Sequence, residues 1–224
     1  MPFLIFLKSF EVFLYELMSW LVFYPRTLWR SVRRPLEMMK RGEQDLKLPA
    51  PEQYRDVVSP PIFLLLTVLV ANGFEMAVVG NNPIIDNGIG LASLISDNTT
   101  LILFDLIVFA TLPVVAGAFA LAVMGRPLDR DTLQPLFYAQ CFTTAPVVLL
   151  CSVGQTLSRL PDPAANIPAA ILFAAATIFY VGVEAVWFGR ESKRGLAAGI
   201  PWAAAAFFIS IFILAATLLL FSGR

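Results

Sequence analysis

The sequence predicts an all-α fold: a polytopic membrane helix bundle of five transmembrane helices, preceded by an amphipathic interfacial N-terminal helix and a basic cytoplasmic segment. Three observations predict it. Of 224 residues, 58% are hydrophobic and only 14% charged, with a mean hydropathy of +0.76. A soluble domain carries about a quarter charged residues, so too few polar groups are present to wrap these apolar ones in water. Five apolar runs are each about 20 residues long, the length that crosses a hydrocarbon core roughly 30 Å thick. Finally, Lys and Arg crowd into those connections that five spans would place on one side. The chain divides into residues 1–58, the N-terminal segment, and 59–224, the bundle.

The first 24 residues are apolar but contain Lys8, Glu11 and Glu16, and no small-residue cleavage site follows as in a signal peptide. On a helix, Lys8, Ser9, Glu11, Glu16 and Ser19 fall within an arc of roughly 160°, opposite Phe3, Phe6, Leu7, Phe10, Phe13, Leu14, Leu17 and Leu21. That pattern predicts a helix lying in the membrane interface; a sixth span is the alternative. The next stretch, Tyr24 to Arg41, brings Trp29 together with Arg26, Arg30, Arg33 and Arg34. These five residues are the expected contact with anionic lipid, because a basic helix flank with an aromatic suits a negatively charged leaflet.

The predicted spans are 61–80, 100–125, 135–157, 167–188 and 200–221. Between them lie an Asn- and Gly-rich stretch (81–99), a charged turn (126–134), a Pro/Asp turn (158–166) and a second charged turn (189–199), each with the composition of a connection. Nine of the basic residues precede the first span, two (Arg126, Arg130) lie in the second connection and three (Arg190, Lys193, Arg194) in the fourth. Fourteen therefore share one side, and only Arg159 and Arg224 fall on the other. Retention of basic flanks in the cytoplasm then places the N-terminus inside and the C-terminus outside, as for a bacterial inner membrane protein.

Ionisable groups at membrane depth are costly and hence candidates for function. The sequence holds three, Glu75, Asp105 and Glu184. Glu75 and Asp105 both lie roughly 7 Å below the outer surface, counted at 1.5 Å per residue. At one depth on neighbouring helices the two carboxylates repel, unless one is protonated or a cation lies between them. Asn72 is one helical turn from Glu75 and adds a neutral oxygen to such an ion or substrate site. Glu184 lies near the cytoplasmic surface, within snorkelling reach of Arg190 and Arg194. Roughly 16 Å then separates the two acidic levels, a gap only Thr111, Gln140, Thr143, Thr144 or water would bridge. Pro113 and Pro146 fall mid-span and read as kinks, or as the helix breaks through which transporters expose backbone. Cys141 and Cys151, ten positions apart on one helix, are about 15 Å apart and cannot bridge. Small-residue pairs at helical spacing, Ala116 with Ala120, Ala170 with Ala174 and Gly195 with Gly199, predict close helix packing or a homo-oligomer. The fifth span has only Ser210 and Thr217 as polar groups, and so is expected to face lipid or a partner.

With no histidine, imidazole catalysis and His metal ligation are removed. No catalytic residue, metal or cofactor is expected, and no phosphate-binding glycine loop is present, since Gly80, Gly88 and Gly90 follow no strand. An acidic pair alone leaves an aspartyl-type mechanism, whose pattern Glu75 and Asp105 do not match. Asn98-Thr99-Thr100 matches a glycosylation sequon.

Span two closing at Met124-Gly125, the run Leu136-Phe137-Tyr138-Ala139-Gln140-Cys141-Phe142-Thr143-Thr144-Ala145-Pro146, and Trp187 with Gly195-Leu196 around the fourth connection together make the chain similar to the Yip1-like membrane protein superfamily. The resemblance covers roughly 55–221. It implies the five-span fold and a link to membrane organisation or transport, with no catalytic residues. Leu46-Lys47-Leu48-Pro49 departs from the Asp-Leu-Tyr-Gly-Pro type of element in eukaryotic relatives, which sets Rab GTPase binding aside. Two functions are thus expected. The first is a non-enzymatic membrane protein that scaffolds an assembly, with anionic lipid and either its own copies or a larger complex as partners, and no nucleic acid. The second is a small permease using Glu75, Asp105 and Glu184.

Overall fold

A computed structural model describes the backbone of residues 2–80 and 98–222 and, within them, the side chains of 8–50, 52–80, 102–217 and 219. Nearly all of the 81–99 connection, the side chains of the 98–100 sequon, those of Phe3, Phe6 and Leu7, and Arg224 lie outside the described residues.

The described chain is built of seven α-helices: α1 (Pro2–Arg33), α2 (Pro35–Asp45), α3 (Pro60–Val78), α4 (Asn98–Met124), α5 (Arg130–Ser158), α6 (Asn166–Glu191) and α7 (Leu196–Ser222). Five of them, α3 to α7, are long and apolar enough to cross a membrane, so the chain is an integral membrane helix bundle. Each starts where local chemistry dictates. Pro60 and Pro61 open α3, positions at which the missing N–H costs nothing. α5 begins at Arg130 rather than near 135, because Asp129 and Thr132 form a reciprocal capping box upstream of Pro135. Gly125 ends α4 at φ +66°, and Gly195 takes φ +81° in the turn into α7, conformations that glycine adopts without steric cost.

α5 is the central helix. Leu136 and all of Ala139 to Val148 are buried, and α2, α3, α4 and α6 all pack on it. Phe63 and Leu64 of α3 meet Phe142, Ala145 and Val148 in one cluster. A second joins Leu121 of α4, Ala139, Phe188 of α6 and Ala203 and Ala206 of α7. Cys141 is buried and Cys151 half-buried, both as free thiols. Ala116 and Ala120 are fully buried as expected, but Ala170 and Ala174 face outward, and the small residues of α6 that pack inward are Ala169, Ala176, Ala185 and Gly189. Gly199 does form a tight crossing: a Cβ there would run into the Ala185 carbonyl of α6.

The N-terminal helix does not stop at residue 24. It continues through Pro25 to Arg33, because its last third is docked: Thr27 is fully buried, accepts a 3.0 Å bond from the Val58 amide and donates to Phe23 at 2.8 Å. Trp20, Phe23, Tyr24 and Leu28 pack against the α3/α5 core. Upstream, the helix leaves this support, and Val12, Tyr15, Met18, Leu21 and Val22 are 56–73% exposed.

Candidate functional site

Three polar assemblies stand out, one near each end of the bundle and one buried between α5 and α6. The first collects the sequence-predicted Asn72, Glu75 and Asp105. Asn72, buried on α3, donates its amide to the Asp105 carboxylate of α4 at 3.0 Å and to the Val68 carbonyl at 3.0 Å. Glu75, one turn beyond Asn72, forms an ion pair with Arg159, which follows the last residue of α5. The two carboxylates thus share one end of the bundle, and Arg159 supplies the positive charge between the helices. Ser152 and Gln155 of α5 complete a polar cavity of about 40 Å³. Charge counting along the sequence noted Arg159 as an outlier but did not pair it; its position at a span end, level with Glu75 and Asp105, was the available signal.

Glu184 lies elsewhere. It is fully buried on α6, and its carboxylate accepts a 3.0 Å bond from the Gln140 amide of α5. The expected approach of Arg190 or Arg194 does not occur: both side chains are exposed, and neither forms an ion pair among the described residues. A buried amide on the facing helix reaches the carboxylate where a long basic side chain from the helix end does not. Around this bond, Gln140 Oε1, Glu184 Oε1, Thr143 Oγ1, Thr144 Oγ1, Tyr180 Oη and Trp187 Nε1 are buried with no hydrogen-bond partner among the described residues. Such groups are costly to bury unmet, and six of them on one helix pair make this a second candidate site. Between Thr144 and Ser152 α5 carries Ala145, Pro146, Val147, Val148, Leu149, Leu150 and Cys151. At 1.5 Å per residue this is roughly 12 Å without a polar side chain, so the two levels are not joined along α5. Thr111, the other expected stepping-stone, donates to its own helix at Val108.

The third assembly, at the basic end, is a collar that sequence reasoning missed. Asp56 accepts from Arg30 of α1 at 2.8 Å and also pairs with Arg41 of α2, which in turn holds Asp45 at 2.9 Å. The Arg41 guanidinium, followed by that of Arg30, holds the Asp56 carboxyl well below the usual carboxylate range. Tyr54, at φ +51°, donates its hydroxyl to the Gly42 carbonyl at 2.8 Å, and burial pushes its phenol up. The acids 45 and 56 lie in a stretch that reads as a basic linker, and nothing in the sequence showed that they clamp α1 to α2.

This collar divides the expected lipid-contact set. Arg30 belongs to the collar, Arg34 pairs with Glu37 at 3.4 Å, and the Arg33 guanidinium lies 4.1 Å above the exposed Trp29 ring. Arg26 is exposed. Burial, then the charge of Glu191, pushes the Glu43 carboxyl of α2 up to about 7.

Compared with known proteins, the chain matches no protein-family model, no curated protein and no solved structure.

Proposed function

We propose that this integral membrane protein is non-enzymatic and organises a membrane assembly, with α1 as its docking arm. The observation that carries this is the protruding half of α1. Large apolar side chains are exposed both opposite its polar stripe, at Phe10, Phe13 and Leu21, and within the stripe, at Val12, Tyr15 and Val22. One interface with lipid covers the apolar face; the apolar groups within the polar stripe call for protein, either another copy or a different membrane subunit. The collar at Asp56 holds the arm's base rigidly, as a docking element requires. The N-terminus in the cytoplasm of a bacterial cell, the C-terminus outside and anionic lipid at Arg26, Arg33 and Trp29 belong to the same proposal, as does the resemblance to the Yip1-like superfamily. Tyr15→Lys and Val22→Lys, made together, are expected to leave insertion and the bundle intact while reducing chemical cross-linking to neighbours. Unchanged cross-linking with the arm charged would refute the reading.

A second reading, a small permease, is favoured by the unpartnered buried polar atoms around Glu184. Its test is ion or solute flux in liposomes with Glu184→Gln against the unaltered chain, where flux lost with the fold intact supports it.

A further inference from the structure

The polar cavity at Asn72, Glu75 and Arg159 adjoins a second chamber, with which it shares a wall. A crevice of about 290 Å³ between α4, α5, α6 and α7 shares Asp105 and Gln155 with it and is otherwise almost wholly apolar. It runs along α4 from Asp105 to Leu112 and along α5 from Gln155 to Val147, a length of roughly 10–12 Å at 1.5 Å per residue. Gln155, Phe173, Thr177 and Ile211 on its rim are exposed, so it opens towards surrounding lipid. An unfilled apolar space of this size forfeits packing contacts on every wall. In a bilayer the molecule at hand to fill it is an acyl chain.

What sits at the head is decided by charge and size. Among its described lining residues the polar chamber counts two carboxylates, Glu75 and Asp105, and one guanidinium, Arg159, a formal charge of −1. It therefore disfavours an anionic headgroup and is completed by one positive charge. Its volume, about 40 Å³, is enough for a group of about water size, whose cavity needs roughly 10–15 Å³ or more; a trimethylammonium is far bulkier. Glu75 accepts at most two of the five N–H donors of Arg159 in a fork, which leaves donors for a phosphate. We propose that this crevice is a binding site for an ethanolamine phospholipid, its acyl chain between α4, α5, α6 and α7, its primary ammonium alone in the polar chamber on Asp105, and its phosphate outside that chamber, against the outer side of Arg159, whose side chain is 23% exposed. No residue of α1 lines either chamber, and the proposal is independent of the organiser reading, so either can fail without the other.

The test is native mass spectrometry of the full chain, delipidated in detergent and then titrated in parallel with ethanolamine, choline and glycerol phospholipids of identical acyl chains. The ethanolamine lipid is expected to bind about tenfold more tightly than either of the others, the worth of one charge-assisted hydrogen bond. Asp105→Asn removes that preference while keeping an oxygen to accept from Asn72. Cys151→Phe, which fills the crevice from its half-buried wall, lowers retention of all three lipids, and each variant is checked for an unchanged size-exclusion profile. Equal binding of the three headgroups by the unaltered chain, tighter binding of the glycerol lipid, or a preference that survives Asp105→Asn would each overturn the proposal.

Discussion

Gln140 of α5 and Glu184 of α6 meet in the buried interior through one amide-to-carboxylate hydrogen bond of 3.0 Å. A fully buried carboxylate whose bonded partner is a neutral amide depends on it. Gln140→Leu strips that partner and is expected to cost about 1–3 kcal/mol, seen as a lower temperature of unfolding in detergent. Glu184→Gln keeps the hydrogen bond without the charge, and its unfolding temperature should match or exceed that of the unaltered chain. A larger loss for Glu184→Gln than for Gln140→Leu would contradict this assignment.

Glu75 and Arg159 bind α3 to the end of α5, and both are mostly shielded from solvent. Arg159→Gln leaves two carboxylates facing each other and is expected to destabilise the bundle by up to about 3 kcal/mol, a discount from the cost of breaking a fully buried pair. Adding Glu75→Gln should recover much of the loss. Equal losses for the single and double variants in thermal unfolding would show that the pair is not coupled.

Gly42 lets α2 lie directly on α5: a Cβ at this position would sit 2.9 Å from Ala139 Cα and 2.9 Å from its nitrogen. Backbone atoms cannot move aside as a flexible side chain does. Gly42→Ala is expected to cost about 1–3 kcal/mol and to raise protease sensitivity between residues 34 and 56, leaving the spans protected.

Glu43 gives the basic end a pH dependence. Burial, and then Glu191, raises its carboxyl to about 7 in the folded chain, above the unfolded value near 4.3. The folded state therefore binds the proton more tightly, and the stabilisation is complete below the unfolded value and lost as pH rises through about 7. Unfolding temperature should fall between pH 5 and pH 8, and Glu43→Gln should flatten that slope. An unchanged slope in the variant would place the titration on another group.

Much of this was legible in the sequence, because the bilayer imposes a simple code of length and apolarity. Each of the five predicted spans coincides with a long apolar helix, with ends differing by five residues or fewer, and helix rise put Glu75, with Asn72 on its face, at the depth of Asp105 on the condition that the two helices are neighbours. Partner choice was not legible. Helical spacing says which residues share a face but not which helix covers it, so Gln140 was noted as polar without being paired to Glu184. The Asp56 collar depended on a chain reversal at Tyr54, whose positive φ no local signal announces. Tertiary docking of Thr27 likewise carried α1 past Pro25, where propensity alone suggests a boundary.

The organiser reading is tested most directly by the mass of the particle that this chain forms when extracted from its own membrane into lipid nanodiscs, without detergent exchange. The account predicts a particle heavier than one 24.6 kDa chain with its lipid, reduced to the single-chain mass by Tyr15→Lys with Val22→Lys. A single-chain particle from the unaltered protein would contradict it.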